Sequence, residues 1–374
     1  MTDGLTTRVV EDETDWDALR GPWDALYRSS PRASTPLDFQ WLRCWWEVYG
    51  PAYGLGGLRI ITLWRGETLA AVLPLYVDGG KGAAMAVRCL RFLSTGEAEY
   101  EETCPDYLDL LHLPGEGAAC AEAAWAAVNG LSWDTLELLD LPGDSPLRYA
   151  GNAPPGMKVA SRGVCPVANL EGGFEAYLQQ LSYKTRKRAR QEIRKVEQAG
   201  AQMQLATPDE SAAYFEDLVR LHQARWTSEG KAGCFAAPRF TEFNRRLIDA
   251  WSGTGRVVLA RLALANEAYV VLYGFVTGAK FDLYQTGVGT VEGTAIYSPG
   301  TVSNLLLMGA LADRGVVRYD FLRGESAYKK SLTSEGCELI SLHCFRGSVR
   351  TMVDCLVRFI RRAVRKVLRV MTRR

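Results

Sequence analysis

The apolar positions of the first half fall into helical segments and shorter alternating segments. Segments 16–28, 37–49 and 116–130 have helical spacing. Segments 58–65, 68–77, 87–93, 107–111 and 134–139 are short, apolar and strand-like. Because only Gly66 and Glu67 separate 58–65 from 68–77, these two predict a β-hairpin. Residues 1–165 therefore predict a mixed α/β unit.

The second half repeats this order of elements. Its predicted helices are 173–200, 209–229 and 237–251, and its predicted strands are 256–264 and 269–277, with a turn at 266–267. The intervening segment 140–166 is rich in Gly and Pro, which favours a boundary there. We therefore predict domains at 1–165 and 166–345, followed by a tail at 346–374. Two tandem copies of one fold would explain the repeated order.

The segment 279–330 combines a strand, a helix start, an apolar helix, a short strand and a cationic loop. Ser298 is a good N-cap, Pro299 suits the first helical position, and Gly300 leaves the first turn bare. The helix start presents free N–H groups and a positive dipole end, so a phosphate would be stable there. Lys329 follows in the cationic loop. The alternative is that Ser298, Pro299 and Gly300 only start a helix and bind no ligand.

Composition narrows the class of protein. The chain has 374 residues, 47% of them hydrophobic and 23% charged, which fits a globular protein of two domains. The first twenty residues do not resemble a signal peptide, and no apolar run is long enough to span a membrane. Nine cysteines without a C-x-x-C pair and three histidines offer no metal-binding pattern. We therefore expect a cytoplasmic protein with reduced cysteines and no metal.

Two segments are strongly basic although the net charge is only +1. Seven cations fall within 184–195, which indicates either a solvated face or contact with a pyrophosphate, an acidic membrane surface or RNA. RNA ranks lowest, because no aromatic residues interleave the cations. The tail 346–374 carries ten Lys and Arg against Asp354 alone. Its apolar stripe predicts a basic amphipathic helix that docks on the protein or lies on an anionic membrane.

Several motifs together resemble a known family. The spacing SPG…G…YDFLRG…YK over 298–329 is similar to the second domain of bacterial acyltransferases related to the cellulose-biosynthesis protein CelD (CelD/BcsL-like). These belong to the Gcn5-related N-acetyltransferase (GNAT) superfamily and are kin of the FemAB peptidyltransferases. Segment 218–235 resembles the family's LHxxRW…G…F element, and 105–111 and 178–200 also match. The resemblance covers roughly 35–335.

The resemblance implies an α/β fold of two tandem GNAT-like domains, each a mixed, mostly antiparallel sheet flanked by helices. It also implies a donor site, for which we predict that Ser298, Gly300, Arg323 and Tyr328 bind acetyl-CoA. Lys329 matches the lysine of the FemAB "FK" element, which lies near the transferred acyl group. The predicted site residues are, for catalysis, Lys329, Asp320 and His222, and for substrate binding, Arg225, Trp226, Tyr284 and Gln285.

Other roles stay open for several of these residues. Asp320 or His222 is the candidate base, but Asp320 could equally pair with Arg323 or Arg225, and His222 could be a packing histidine. Arg323 and Lys329 could be surface cations.

The expected function is therefore acetyl-CoA-dependent N- or O-acyl transfer. The acceptor would be a saccharide or lipid-linked saccharide in envelope or exopolysaccharide synthesis, reached at the inner face of the membrane. One alternative is a FemAB-like aminoacyltransferase that uses aminoacyl-tRNA. Another is an inactive GNAT twin that acts as a partner in polysaccharide synthesis.

Overall fold

The computed structural model describes residues 4–79, 86–265, 267–289, 298–324, 326–333, 335–347 and 350–351. Within these residues the helices are α1 Glu13–Ala18, α2 Arg20–Ser29, α3 Phe39–Tyr53, α4 Gly117–Gly130, α5 Pro146–Tyr149, α6 Phe174–Gln180, α7 Tyr183–Gln198, α8 Ser211–Ser228, α9 Pro238–Trp251, α10 Pro299–Ala312 and α11 Ala327–Leu332. The strands are β1 Thr6–Val10, β2 Ile60–Arg65, β3 Thr68–Leu73, β4 Leu75–Asp78, β5 Cys89–Phe92, β6 Leu111–His112, β7 Thr135–Pro142, β8 Lys158–Asn169, β9 Gln202–Leu205, β10 Val257–Leu264, β11 Glu267–Thr277, β12 Lys280–Val288, β13 Arg318–Asp320 and β14 Glu335–Phe345.

The strands form an antiparallel sheet of four strands and a mixed sheet of ten. The smaller has the order β1-β2-β3-β6, and the larger has the order β4-β5-β7-β14-β8-β13-β12-β11-β10-β9. Both predicted hairpins are confirmed, because β2 pairs antiparallel with β3 and β10 pairs antiparallel with β11. Asn266, in the turn of the second hairpin, lies outside the described residues. The fold is thus a mixed α/β arrangement, as the sequence predicts.

Strand β8 joins the two halves and was missed by the sequence analysis. It pairs with β14 from Lys158 to Val167 and with β13 from Val167 to Asn169. The boundary drawn at residue 165 therefore falls inside this strand. Gly163 and Pro166 interrupt its pattern, and such residues favour a loop unless neighbouring strands supply the ladder. Here β14 and β13 supply it from both sides.

Side chains alternate along β11 between two cores. Val271, Tyr273 and Phe275 belong to a core that also contains residues of the first half and of α8 and α9. Val270 and Leu272 belong to a second core with residues of α6, α7 and α10. Since successive strand residues point to opposite faces, the sheet separates the two cores. One face of the second half is therefore covered by the first half.

Aromatic rings form the seam between the halves. Trp41 of α3 meets Phe243 of α9 at a centroid distance of 4.9 Å, Phe275 of β11 at 5.4 Å and Tyr284 of β12 at 5.8 Å, all edge to face. Edge-to-face pairs add about 1 kcal/mol each to the burial of the rings. The core beneath β11 and β12 of the second half thus includes side chains of the first half.

The start of the predicted tail packs on the first half. Arg346 stacks on Trp133 at 3.6 Å and donates to the carbonyl of Leu131 at 3.0 Å. Residues 352–374 lie outside the described residues, so the predicted amphipathic helix stays a prediction. Among the helices that the structure describes, none has the length and apolarity needed to cross a membrane.

We expect Glu97→Gln to remove a pH-dependent loss of stability from the first half. One carboxylate oxygen of Glu97 accepts from Trp45 and Thr103, the other is enclosed without a partner, and burial raises the pKa to about 7. Unfolding between the ordinary pKa and 7 releases a proton, so rising pH favours the unfolded wild type by up to roughly 3 kcal/mol. Melting temperatures at pH 5.5 and pH 8.0 check this. The advantage of the variant over wild type should grow with pH, and an equal difference at both pH values would contradict it.

Candidate functional site

The site lies where two parallel strands separate. Strands β12 and β13 pair in parallel at Lys280–Arg318, Phe281–Tyr319 and Asp282–Asp320, where the recorded ladder ends. Helix α10 connects them, so β12, α10 and β13 form a β-α-β unit. Beyond the last pair the gap holds a pocket of about 260 Å³. Its lining comprises Cys104, Asp106, Leu283, Tyr284, Gln285, Thr286, Phe321, Leu322, Arg323, Tyr328 and Lys329.

A β-bulge in β12 lies at this pocket. Tyr273 of β11 pairs with Gln285 and Gly274 pairs with Leu283, so Tyr284 has no counterpart on β11. Gly274 is required there, because a Cβ at this position would lie 2.2 Å from the carbonyl oxygen of Asp282. Bulges redirect backbone groups and are frequent beside active sites. Backbone groups on the β13 side of residues 283–286 therefore face the gap.

The Tyr284 side chain points to the seam between the halves. Its ring packs against Trp41 and Phe275, and its hydroxyl donates to the carbonyl of Thr103 at 2.7 Å. Burial raises its pKa well above the ordinary value. The predicted substrate residue thus lines the pocket beside Gln285, while its ring and hydroxyl are held in the seam.

The start of α10 opens into a second pocket, of about 350 Å³. The side chain of Ser298 does not cap the helix in the described structure, which differs from the sequence expectation. It instead accepts from Arg188 of α7 at 3.3 Å, because the basic helix crosses this end of α10. Gly300 follows in the first turn, where an added Cβ would lie 3.4 Å from Val288. Tyr328 lines both pockets.

Lys329 projects into the first pocket from α11. Its Nζ donates to the carbonyl of Phe321 at 2.8 Å. Burial lowers its pKa from the ordinary value, against the opposing effect of nearby Cys165, Asp106 and Asp320. The sequence placed Lys329 in a loop, whereas the structure shows a short helix that begins after Ser326. The amine is therefore a fixed hydrogen-bond donor at the pocket wall.

Asp320, a predicted base, lies beneath the pocket in a buried network. One oxygen accepts from the Tyr107 hydroxyl at 2.5 Å and lies 3.6 Å from the Lys280 amine, and the other accepts from the amide of Leu322 at 2.8 Å. Lys280 also pairs with Asp282 at 2.7 Å. These contacts occupy both carboxylate oxygens. Asp320 therefore holds Tyr107, Lys280 and the Leu322 amide in place next to the pocket.

The Arg323 guanidinium points to carboxylates of the first half. Its Nη1 lies 2.9 Å from Asp140, its Nε lies 3.4 Å from Asp106, and its Nη2 lies 3.9 Å from Glu102. Arg323 is one of the predicted donor-binding residues. In the structure it connects the wall of the first pocket to the opposite half of the chain.

Asp106 is a pocket residue to which the sequence analysis assigned no role. It is 5% exposed, and burial together with the nearby Asp140 raises its pKa to about 7. Its Oδ2 accepts from the backbone amide of Arg323 at 2.6 Å. Segment 105–111 is part of the family resemblance, and this resemblance is the one feature of the sequence that points to Asp106. Cys165 Sγ also lies 3.6 Å from Oδ2, and Arg323 is 217 residues away along the chain, a separation that no local pattern reveals.

The remaining predicted residues lie on α8. His222 packs edge to face on Phe235 at 4.9 Å, its Nδ1 lies 3.1 Å from Gln223, and burial lowers its pKa. Arg225 pairs with Glu229 at 3.3 Å. Trp226 contacts the His222 ring at 5.7 Å. The structure therefore groups these three on one helix beside the pocket, and groups Gln285, Tyr328 and Lys329 within it.

The arrangement combines three chemical elements. The gap between β12 and β13 offers unpaired backbone groups to an extended ligand. The start of α10 and Arg188 offer a place for phosphate. Lys329 offers a hydrogen-bond donor in a partly desolvated pocket. Among the described residues, no cluster of His, Cys, Asp and Glu is suited to a metal ion.

Comparison with known proteins gives one family match and several matches of fold. Residues 183–330 match the family model described as Acetyltransferase (GNAT) domain. No curated protein matches the sequence. The crystal structure of FemX is similar with a TM-score of 0.59 and 11% identity, over 91% of this chain and 97% of that one. A conserved protein of unknown function from Bacteroides thetaiotaomicron VPI-5482 gives 0.54 and 11% identity, over 91% and 100%.

The tandem GNAT protein from the clavulanic acid biosynthesis pathway has a TM-score of 0.44 and 15% identity, over 92% of this chain and 99% of that one. The family match begins at α7 and ends after Lys329, so it includes the basic helix and the β12-α10-β13 unit. Residues 183–330 thus match the GNAT acetyltransferase domain, which supports an acyltransferase, and the chain shares its fold with FemX.

Proposed function

We propose that this acyltransferase takes an acetyl group from acetyl-CoA and transfers it to an amine or hydroxyl of a saccharide. The observation that carries the donor proposal is the gap between β12 and β13, with the bulge at Tyr284 on one side and Lys329 on the other. Saccharide and lipid-linked saccharide acceptors are suggested by the resemblance to CelD-related acyltransferases.

The gap suits the amide-containing arm of the donor. An extended chain with N–H and C=O groups can hydrogen-bond to a strand edge as a further strand would. The edge of β12 from Leu283 to Thr286 is such a surface, because β13 has already turned away. The arm would direct its thioester toward the closed end of the pocket, where the two strands meet.

The start of α10 suits the phosphates of the same donor. The amides of Thr301 and Val302 donate to the Ser298 carbonyl at 3.0 and 3.1 Å, so the first turn of α10 is ordered with its positive dipole end at the second pocket. Arg188 adds a guanidinium at 3.3 Å from Ser298. Ligands of β-α-β units commonly bind beyond the carboxyl ends of the strands, which is where α10 begins. Tyr328 lies between the two pockets, so one extended ligand can occupy both.

Lys329 would stabilise the negative charge that develops on the thioester oxygen when the acceptor attacks. Its Nζ already donates to one carbonyl, that of Phe321. An ammonium has three N–H donors, so others remain for a developing oxyanion. Collapse of the intermediate breaks the carbon–sulfur bond, and coenzyme A leaves as the thiol after taking a proton.

Aminoacyl transfer from aminoacyl-tRNA is the second candidate, and the outer face of α7 favours it. Lys184, Lys187 and Arg194 are exposed there, and Tyr183 at the helix start is 72% exposed. Exposed cations beside an aromatic ring suit a nucleic-acid backbone and a stacked base. The fold shared with FemX is compatible with this alternative.

Titration of the purified protein distinguishes these functions. Binding of acetyl-CoA without binding of aminoacyl-tRNA supports the first proposal, and the reverse supports the second. Binding of neither would contradict both and leave a non-catalytic partner in polysaccharide synthesis.

Recovery in vesicle flotation, with and without 346–374, tests attachment to anionic membranes, and equal recovery would contradict it.

We expect Arg188→Ala to weaken acetyl-CoA binding by about tenfold, the usual effect of losing one charge-assisted hydrogen bond to phosphate. Arg194→Ala is the matched control, because Arg194 is an exposed arginine of the same helix and does not line the second pocket. Acetyl-pantetheine, which lacks the nucleotide phosphates, should bind both variants equally. Isothermal titration measures the six affinities of the wild type and both variants for the two ligands. Equal weakening by both substitutions would contradict the assignment.

We expect Lys329→Ala to lower turnover by about a hundredfold or more, as removal of one oxyanion donor does in other enzymes. Its affinity for acetyl-CoA should change less than about threefold, because the contact forms mainly in the transition state. Lys330→Ala, at the adjacent exposed lysine, is the control and should keep wild-type turnover. Thiol release from acetyl-CoA with a glucosamine acceptor measures turnover. An equal loss in both variants, or a loss of affinity alone in Lys329→Ala, would argue against this role.

A further inference from the structure

One wall of the first pocket is a strained turn. Leu322 has φ +54°, a left-handed conformation that is strained for a residue with a side chain. Asp320 holds this turn from the amino side, because its Oδ1 accepts from the Leu322 amide at 2.8 Å. Gly324, two residues later, has φ +122°. The turn therefore needs external partners to keep its shape.

The partner on the carboxyl side comes from the first half of the chain. Asp106 Oδ2 accepts from the backbone amide of Arg323 at 2.6 Å, whereas the ion pair from Asp106 to the Arg323 Nε is longer, at 3.4 Å. The guanidinium has a closer partner in Asp140, at 2.9 Å. The main interaction of Asp106 with this wall is therefore the hydrogen bond to its backbone.

Asp106 itself lies in a second strained turn. Cys104 and Tyr107 have φ +48° and +74°, and the Tyr107 amide donates to the Asp140 carbonyl at 2.9 Å. The Tyr107 hydroxyl in turn donates to Asp320. The two turns, one from each half, are thus joined twice. Asp106 accepts from the second half, and Tyr107 donates to it.

The joined turns determine where the Lys329 amine lies. Phe321, whose carbonyl accepts from Nζ at 2.8 Å, immediately precedes the strained Leu322. On the other side, a Cβ at Gly324 would lie 3.6 Å from the same Nζ. A change in the conformation of 322–324 would therefore displace the acceptor of the amine and the surface against which it rests.

We propose that Asp106 is a positioning residue for Lys329. It holds the 321–324 turn through the Arg323 amide, so the first half of the chain completes the active site of the second. This inference rests on the proposed role of Lys329. The alternative role for a pocket carboxylate is general base, and a base requires an ionisable group whereas positioning requires only an acceptor oxygen.

Asp106→Asn and Asp106→Ala separate these roles, because asparagine keeps an acceptor oxygen and loses the basic carboxylate. Asp106→Asn should keep turnover within about threefold of wild type, and Asp106→Ala should lose at least about tenfold through misplacement of the amine. Asp109→Asn is the matched control, because Asp109 is a buried acid nearby whose partners are Ser145 and Arg32. It should keep wild-type turnover. Equal, large losses in Asp106→Asn and Asp106→Ala would overturn the proposal.

A second readout requires no activity. Each variant is acetylated with a water-soluble amine reagent across a pH series, and mass spectrometry compares modification of Lys329 with that of Lys330. Each variant is compared with a protein of the same charge. Asp106→Ala is compared with Asp106→Asn, because both lose the carboxylate charge that raises the Lys329 pKa, and Tyr107→Phe, which removes the other joint, is compared with wild type. Asp106→Ala and Tyr107→Phe should both shift the Lys329 midpoint relative to these references. Unchanged labelling in both of these variants would overturn the proposal. Labelling remains decisive if the wild type binds no acetyl-CoA, a result that would count against the proposed function alone.

Discussion

The site depends on the point at which β12 and β13 stop pairing. Parallel strands joined by a helix ordinarily continue side by side, and their backbone groups are then used up by the ladder. Here the pairing of β12 with β13 ends at Asp282–Asp320. The chain then turns away from β12, and the Asp320 carboxylate holds this turn by accepting from the Leu322 amide. That divergence creates the first pocket and leaves the edge of β12 available. It also lets the start of α10 and the amine of Lys329 lie near one continuous cleft.

Buried charges at the divergence connect the halves into one unit. Lys280 lies between Asp282 and Asp320, and Arg323 lies between Asp106 and Asp140. Buried charges are tolerated when they are paired, and removal of one member of a buried pair is typically costly. Because Asp106 and Asp140 come from the first half, the pocket cannot be complete in the second half alone. The shared strand β8 and the aromatic seam around Trp41 lead to the same conclusion.

The sequence predicted elements whose signals are local. The two hairpins, the Pro299 helix start and the apolar helix after it follow from alternation, turn residues and helical spacing. Strand β8 escaped because Gly163 and Pro166 interrupt its pattern, and it forms only where β14 and β13 pair with it. Ser298 has the chemistry of a cap, but Arg188 occupies its hydroxyl through a tertiary contact. The roles of Asp106 and Arg323 depend on a partner two hundred residues away, so only the fold reveals them.

Amide hydrogen exchange with and without acetyl-CoA tests the central claim most directly, because it reports on the backbone groups that the cleft leaves open. Bound donor should slow exchange at residues 283–287 of β12 and at Gly300 in the first turn of α10, while the β2–β3 hairpin of the first half serves as an internal reference and stays unchanged. Saturating acetyl-CoA that leaves the β12 edge and the start of α10 unprotected would contradict the account, whatever its effect elsewhere in the chain.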